Sequence, residues 1–221
     1  MKPQSNEVIK KNIVEQLAWN DAIDANKVQV EIKDKKVILT GSVPSYSSKI
    51  DAAREAMSVA GNFEIDNQLT VKFEAKQDIP NDFEMTENIQ NMLKWNSDIN
   101  PVNIRVETDK GVVSLSGTVS RSWEKTKAEK MIHATKGVVD VVNNIKVKPS
   151  SVRSDAAIEK DLKRALERNP LIVEDSLFVE VENGVIYVSG SVTTESIRDE
   201  ILDQAINTAG VVDVVNEITI G

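Results

Sequence analysis

The sequence predicts an α+β protein: three tandem αββαβ modules, each a three-stranded mixed sheet with two helices on one face. Three observations predict it. A closing phrase recurs, as Gly137-Val-Val-Asp-Val-Val-Asn-Asn-Ile-Lys-Val147, as Gly210-Val-Val-Asp-Val-Val-Asn-Glu-Ile-Thr-Ile220, and more weakly as Gly61-Asn-Phe-Glu-Ile-Asp-Asn-Gln-Leu-Thr-Val71. Ahead of each copy lie apolar residues at helical spacing. Between the two lie pairs of alternating runs around a turn. A repeat of roughly 70 residues is too long for a solenoid unit and suits a very small domain. The expected modules are 5–73, 82–148 and 154–221.

Each module opens with a helix. Ile13 and Leu17, Ile89 and Leu93, and Ile158, Leu162 and Leu166 recur at a spacing of four, which lines them along one stripe. Trp19 and Trp95 hold one place near the helix end; the third copy has Arg168 there, followed by the helix stop Asn169-Pro170. Two strands follow. The first reads Val28-x-Val30-x-Ile32, Ile104-x-Val106-x-Thr108 and Leu177-x-Val179-x-Val181; the second Val37-x-Leu39, Val113-x-Leu115 and Ile186-x-Val188. Period-two alternation marks half-buried strands. Asn183-Gly184 between them is a hairpin turn signal, because both residues tolerate positive φ.

The dipeptides Thr40-Gly41, Ser116-Gly117 and Ser189-Gly190 align the copies at offsets of 76 and 73. A second helix begins beyond them. Its starts are rich in capping residues: Ser47 and Ser48, Ser120 and Ser122, Thr193, Thr194 and Ser196. Ser48-x-x-Asp51 and Ser196-x-x-Asp199 read as capping boxes with Asp in the Glu position. The helix is expected to end at Gly61, Gly137 and Gly210, since glycine suits the left-handed position after a helix. The Val/Ile-rich closing phrase is then the third strand. Both helical stripes bury in one layer if the helices share a face of the sheet. Polar, proline-bearing linkers fall at Glu74–Asn81 and Lys148–Ser154.

These residues resemble the BON domain (bacterial OsmY and nodulation). The pattern is fullest in Gly111-Val-Val-Ser-Leu-Ser-Gly-Thr-Val119, Ala128 and Gly137 to Val147, and is repeated in Gly184-Val-Ile-Tyr-Val-Ser-Gly-Ser-Val192 and Gly210 to Ile220. The first copy departs from it, with Lys35-Lys36 in place of Gly-Val and Asn62 in place of a Val. The resemblance implies a non-enzymatic binding protein of osmotic stress or envelope maintenance, with phospholipid, potassium or a protein as partner. It supplies no ligand residue. The alternative is a structural adaptor that joins proteins without lipid or ion.

Composition narrows the chemistry. A module of this length buries too little surface to be very stable alone. The chain has no cysteine, so disulfides and thiolate zinc sites are excluded, and packing between modules is expected to supply the difference. No apolar run reaches transmembrane or signal-peptide length. The chain as it stands is expected in the cytoplasm, and in the periplasm if a leader has been removed. The net charge of −8 sits in the third copy: residues 1–78 carry −1, 79–150 carry +1 and 151–221 carry −8. Such a chain is a poor non-specific partner for nucleic acid or anionic lipid, an objection from which the first two copies are free.

No nucleophile elbow, phosphate-binding loop or dinucleotide fingerprint occurs, so neither a catalytic residue, a metal ligand nor a cofactor is expected. His133 is the one histidine, and Met57 and Ile206 hold its place elsewhere. Asn67, Asn143 and Asn216 share a position with the parity of the apolar side of the third strand. Each amide is expected to tie the strand to a neighbouring loop or helix end; the other reading is an oxygen ligand for a cation. On the outward parity of the hairpin stand Phe178 and Tyr187 in the third copy and Ile38 in the first, which marks a contact surface. Trp19, Trp95 and Trp123 are expected to pack in the core or at helix ends. Their alternative role is at a membrane surface, beside the basic pair Lys10-Lys11.

Overall fold

Three mixed sheets follow one another along the chain, each with two helices (computed structural model, describing residues 5–61, 63–74, 78–170, 172 and 177–220). Asn62 and residues 75–77 of the first linker lie outside the described residues. Module one runs α1 (Asn6–Trp19), β1 (Val28–Lys33), β2 (Lys36–Val43), α2 (Tyr46–Ala60), β3 (Glu64–Asn67) and β4 (Thr70–Val71). Module two runs α3 (Asp82–Trp95), β5 (Ile104–Asp109), β6 (Val112–Val119), α4 (Ser122–Ile132) and β7 (Asp140–Val147). Module three runs α5 (Asp155–Leu166), β8 (Leu177–Glu182), β9 (Val185–Val192), α6 (Glu195–Asn207) and β10 (Asp213–Ile220). The hairpin strand β9 is central, antiparallel to β8 and parallel to β10. Module one repeats this, with β3 and β4 as one third strand in two pieces, both in the same register along β2.

The cores are aliphatic and one-sided. Ile9, Ile13 and Leu17 of α1 meet Ala52, Ala56 and Ala60 of α2 over the inward residues Val28, Val30, Val37 and Leu39. Module three repeats the arrangement with Ile158, Leu162, Leu166, Ile201, Ala205, Ile186 and Val188. Alanines on the second helix let its backbone lie close to the sheet, where a larger side chain would not fit without displacing neighbours.

The glycine dipeptides have a steric cause. Gly41 and Gly117 sit at φ +114° and +120°, and a Cβ there would stand 2.0 Å from the Lys27 carbonyl oxygen and 1.8 Å from that of Asn103. The hairpin turns carry two successive positive φ values in all three modules, as a two-residue type I′ turn requires. Module one achieves this without glycine: Asp34 and Lys35 lie at φ 50° and 61°. The carbonyl of the second turn residue accepts the N–H that leads into the third strand, Lys35 from Glu64, Gly111 from Val139 and Gly184 from Val212. Lys36 also pairs with Glu64 across the ladder at 2.9 Å.

A clamp on the turn was not foreseen. Asp82 accepts the N–H groups of Lys110 and Gly111 at 2.7 and 2.9 Å, one on each carboxylate oxygen. Asp155 accepts those of Asn183 and Gly184 at 3.0 and 2.9 Å. Asn6 holds the equivalent place in module one.

The capping boxes are corrected. Ser45 caps α2 by accepting from the Ser48 N–H, and Thr194 caps α6 by accepting from that of Ile197. Asp51 and Asp199 instead take guanidinium groups, from Arg54 and Arg198. In module two Glu124 reaches back to the Ser120 and Arg121 N–H groups at 2.9 Å. The helix ends are corrected as well. α2 does end at Gly61, but α4 stops at Ile132 and α6 at Asn207, short of Gly137 and Gly210. At α6 the Asn207 amide and Thr208 hydroxyl donate to the Asp203 and Gln204 carbonyls, closing the last turn early.

Two substitutions test these devices. Asp155→Ala removes a charged acceptor from two turn N–H groups and is expected to cost about 2 kcal/mol. Lys35→Gly relieves a left-handed side-chain residue and is expected to add about 0.5–1 kcal/mol. Urea titration followed by circular dichroism reads both, and an unchanged midpoint for Asp155→Ala would remove the clamp from the account of stability.

Candidate functional site

Because the helices cover one side of each sheet, the other side is where the modules differ. In module three, Glu180 pairs with Tyr187 and Tyr187 with Val215, so these three share the open face; Phe178 lies diagonally beside Tyr187. Phe178 is 72% exposed, Tyr187 39% and Val215 36%. The aligned residues are Gln29, Ile38 and Asp66 in module one, and Arg105, Ser114 and Val142 in module two. Ile38 is half-buried, so the apolar surface that its parity suggested is small.

The indoles correct an expectation. Trp19 and Trp95 do not pack at their helix ends; they are 85% and 88% exposed. The apolar stripe of α1 runs through Ile9, Ile13 and Leu17, and Trp19, two residues past Leu17, is carried about 200° round the helix from it. Trp123 is different: it is half-buried, with the Arg121 guanidinium 6.0 Å from its ring centre. Lys10 and Lys11 are exposed on α1, and Lys11 faces Glu15 at 3.6 Å.

The repeated asparagines hold the scaffold. Asn67 donates to the Lys49 carbonyl at 2.7 Å and accepts from the Leu69 N–H at 3.2 Å. Asn143 donates to the Lys125 carbonyl at 3.1 Å and to Glu129, and accepts from the Ile145 N–H. Asn216 accepts from the Ile218 N–H at 3.0 Å. Every one of these amide oxygens therefore faces a backbone donor. The residue two positions on, Leu69, Ile145 or Ile218, is the buried anchor of the third strand.

By density of contacts the chain divides into two compact units. The first ends at Ile89 and adds Glu107–Ser114 and Met131–Val142; the second takes Gln90–Val106, Leu115–Lys130 and the chain from Asn143 on. Within the first, contacts between described residues cross from module one to module two. The buried Tyr46 ring meets His133 edge to face, centroids 5.4 Å apart, and Lys49 lies 3.7 Å from Asp140. Sequence reasoning missed this joint: Tyr46 is matched by Ser122 and Glu195, so nothing in the repeat announces it.

Among the described residues, an open cleft of about 600 Å³ lies between α5 and α6 around Asp161, Arg168, Glu200 and Gln204, and another of about 570 Å³ around Asp21, Asp24, Lys27, Lys72 and Glu74. In the second, Lys27 holds the Asp24 carboxyl below its ordinary range by hydrogen bonding, and is itself raised in return. Among the described residues no group of three or more His, Asp or Glu side chains is placed to hold a metal ion, and no helix is long and apolar enough to cross a membrane.

Comparison with known proteins matches the BON domain at residues 5–72, 81–149 and 154–221. The chain is similar to osmotically-inducible protein Y of Escherichia coli (strain K12), 27% identical over 180 residues, which is 79% of this chain and 80% of that one. It is also similar to the uncharacterized protein in gshII 5′ region of Anaplasma centrale, 25% identical over 58% of this chain and 86% of that one. Among solved structures, CdsD, a structural protein of the Type III secretion system of Chlamydia trachomatis, is 13% identical with 96% of this chain and 91% of that one covered; its C-terminal domain is 12% identical with 99% and 100% covered. Their TM-scores are 0.26 and 0.27, and the likeness carries no argument about this chain.

The scaffold role of the asparagines is open to measurement. Asn143→Ala is expected to lose about 1–2 kcal/mol of stability through the unmet Lys125 carbonyl and Ile145 N–H. Its calorimetric response to potassium chloride should equal that of the wild type. A potassium-dependent heat that this substitution abolishes would return the amide to the list of ligands.

Proposed function

The chain belongs to the BON domain family, in three tandem copies, and we propose that it is a non-enzymatic binding protein of osmotic and envelope stress that contacts phospholipid surfaces through modules one and two. The observation that carries this reading is the pair of exposed indoles. Folding does not need Trp19 or Trp95 where they stand, yet both modules present one at the same helix end. An indole joins an apolar ring to an N–H donor, which suits the boundary between head groups and acyl chains. Modules one and two are close to neutral and carry Lys10, Lys11 and Lys94 on the same helices as the indoles. Module three has a net charge of −8 and Arg168 in the place of the indole. Similarity to an osmotically-inducible protein supports the physiological setting.

A potassium role is less favoured, because the shared asparagine oxygens accept backbone N–H groups. The adaptor reading has one observation of its own: the Tyr46–His133 and Lys49–Asp140 contacts, which tie neighbouring modules together.

Co-sedimentation with vesicles of phosphatidylcholine, with and without phosphatidylglycerol, tests the proposal. The wild-type chain should bind the anionic vesicles more strongly and lose that preference at high salt. Trp19→Ala with Trp95→Ala should weaken binding by about tenfold or more. Absence of binding to either vesicle at low salt would leave the adaptor reading in its place.

A further inference from the structure

The open face of module three has a chemistry of its own. Its centre is Tyr187 and Val215, in register on neighbouring strands, with Phe178 diagonally beside Tyr187 on the third. Around them, on the same parity, stand Glu180 and Glu182 of β8 and Asp213 and Glu217 of β10, all exposed. The three strands contain no lysine or arginine. The face is therefore an apolar, aromatic centre within an acidic rim. The fold does not demand this, since the aligned triads of the other modules are Gln29, Ile38, Asp66 and Arg105, Ser114, Val142.

We propose that this face is a docking site for a protein segment that is apolar at its centre and rimmed by lysine or arginine. Charge decides between the occupants. An anionic membrane would meet four carboxylates, and repulsion opposes the approach. A second copy packed face to same face would oppose the carboxylates with their own equivalents, and like charges brought together at an interface cost affinity. A basic amphipathic segment meets both demands: its apolar side covers Phe178 and Tyr187, and its cations face the rim. Aromatic side chains at the centre of such a contact carry most of the binding energy, while the rim governs rate and salt dependence. The site is separate from the indoles of modules one and two.

The test uses the full chain and two synthetic peptides, one alternating leucine with lysine and one of lysine alone at equal charge. Binding is followed by calorimetry. The alternating peptide should bind the wild type more tightly than the lysine peptide does. Phe178→Thr with Tyr187→Thr keeps strand-forming residues at both positions and should weaken that binding by about tenfold or more. Glu180→Gln with Glu217→Gln should weaken it less and flatten its salt dependence. Vesicle binding should be unchanged in the threonine variant, so that loss of the peptide and loss of the lipid are separate results. Equal affinity of the two peptides, or peptide binding indifferent to the threonine variant, would overturn the proposal. So would self-association of the wild type in sedimentation that the threonine variant abolishes.

Discussion

Two helices laid across one face of a three-stranded sheet bury that face and leave the other in water. Each module lives under this asymmetry. The inward parity is occupied by residues such as Val37, Leu39, Ile186 and Val188, fully buried and aliphatic. A small sheet has no second layer with which to hide the outward parity. Whatever stands at the positions of Phe178, Tyr187 and Val215 is therefore seen by solvent or by a partner, and is free to vary without disturbing the core.

The repeated residues are those that this arrangement makes sterically or electrostatically obligatory. Gly41 and Gly117 recur because a carbonyl oxygen occupies the space of their missing side chain. The asparagines recur because the third strand turns its next apolar residue inward only after an amide has taken the local N–H and bridged to the second helix. Module one shows which parts of the pattern are negotiable. It keeps its turn with Lys35 in the left-handed region, joins Lys36 to Glu64 across the ladder, and has Asn6 where the other modules have a clamping aspartate. Left-handed lysine is a local cost of about 1–2 kcal/mol, small enough for a packed core to carry.

What was legible in the sequence was whatever depends on period and on repetition. The stripes of Ile13 and Leu17 and of Ile158, Leu162 and Leu166 are buried as spaced, and the alternating runs form the expected ladders. Capping was legible only in kind. Serine and threonine cluster at the helix starts, but the residue that caps is chosen by where the strand releases the chain, which is why Ser45 acts and Ser48 does not. Contacts that depend on tertiary approach left no local mark. Asp155 lies 28 and 29 residues from the N–H groups it binds, and Tyr46 and His133 each lack a counterpart in the other copies. The indoles were misjudged because large aromatic residues are usually buried, and the direction of Trp19 is set by the phase of α1 rather than by its own hydrophobicity.

Tandem repetition and divergence then support each other. A module this small holds its fold through a few shared residues, so its outer positions tolerate change of almost any kind. Three modules on one chain can thus carry an indole at one helix end, a basic residue in the same place elsewhere, and an acidic-rimmed aromatic face on the third sheet, without three separate folds. The charge distribution follows the same division: the two modules with exposed indoles are nearly neutral, and the module without one holds the excess acid. Charge of one sign over a whole module selects partners by sign before any contact is made. A surface meant for anionic lipid and a surface meant for a basic protein would interfere if they shared one module. On the proposed reading, their separation onto different copies removes that conflict, and gives the chain a physical reason to be repeated rather than enlarged.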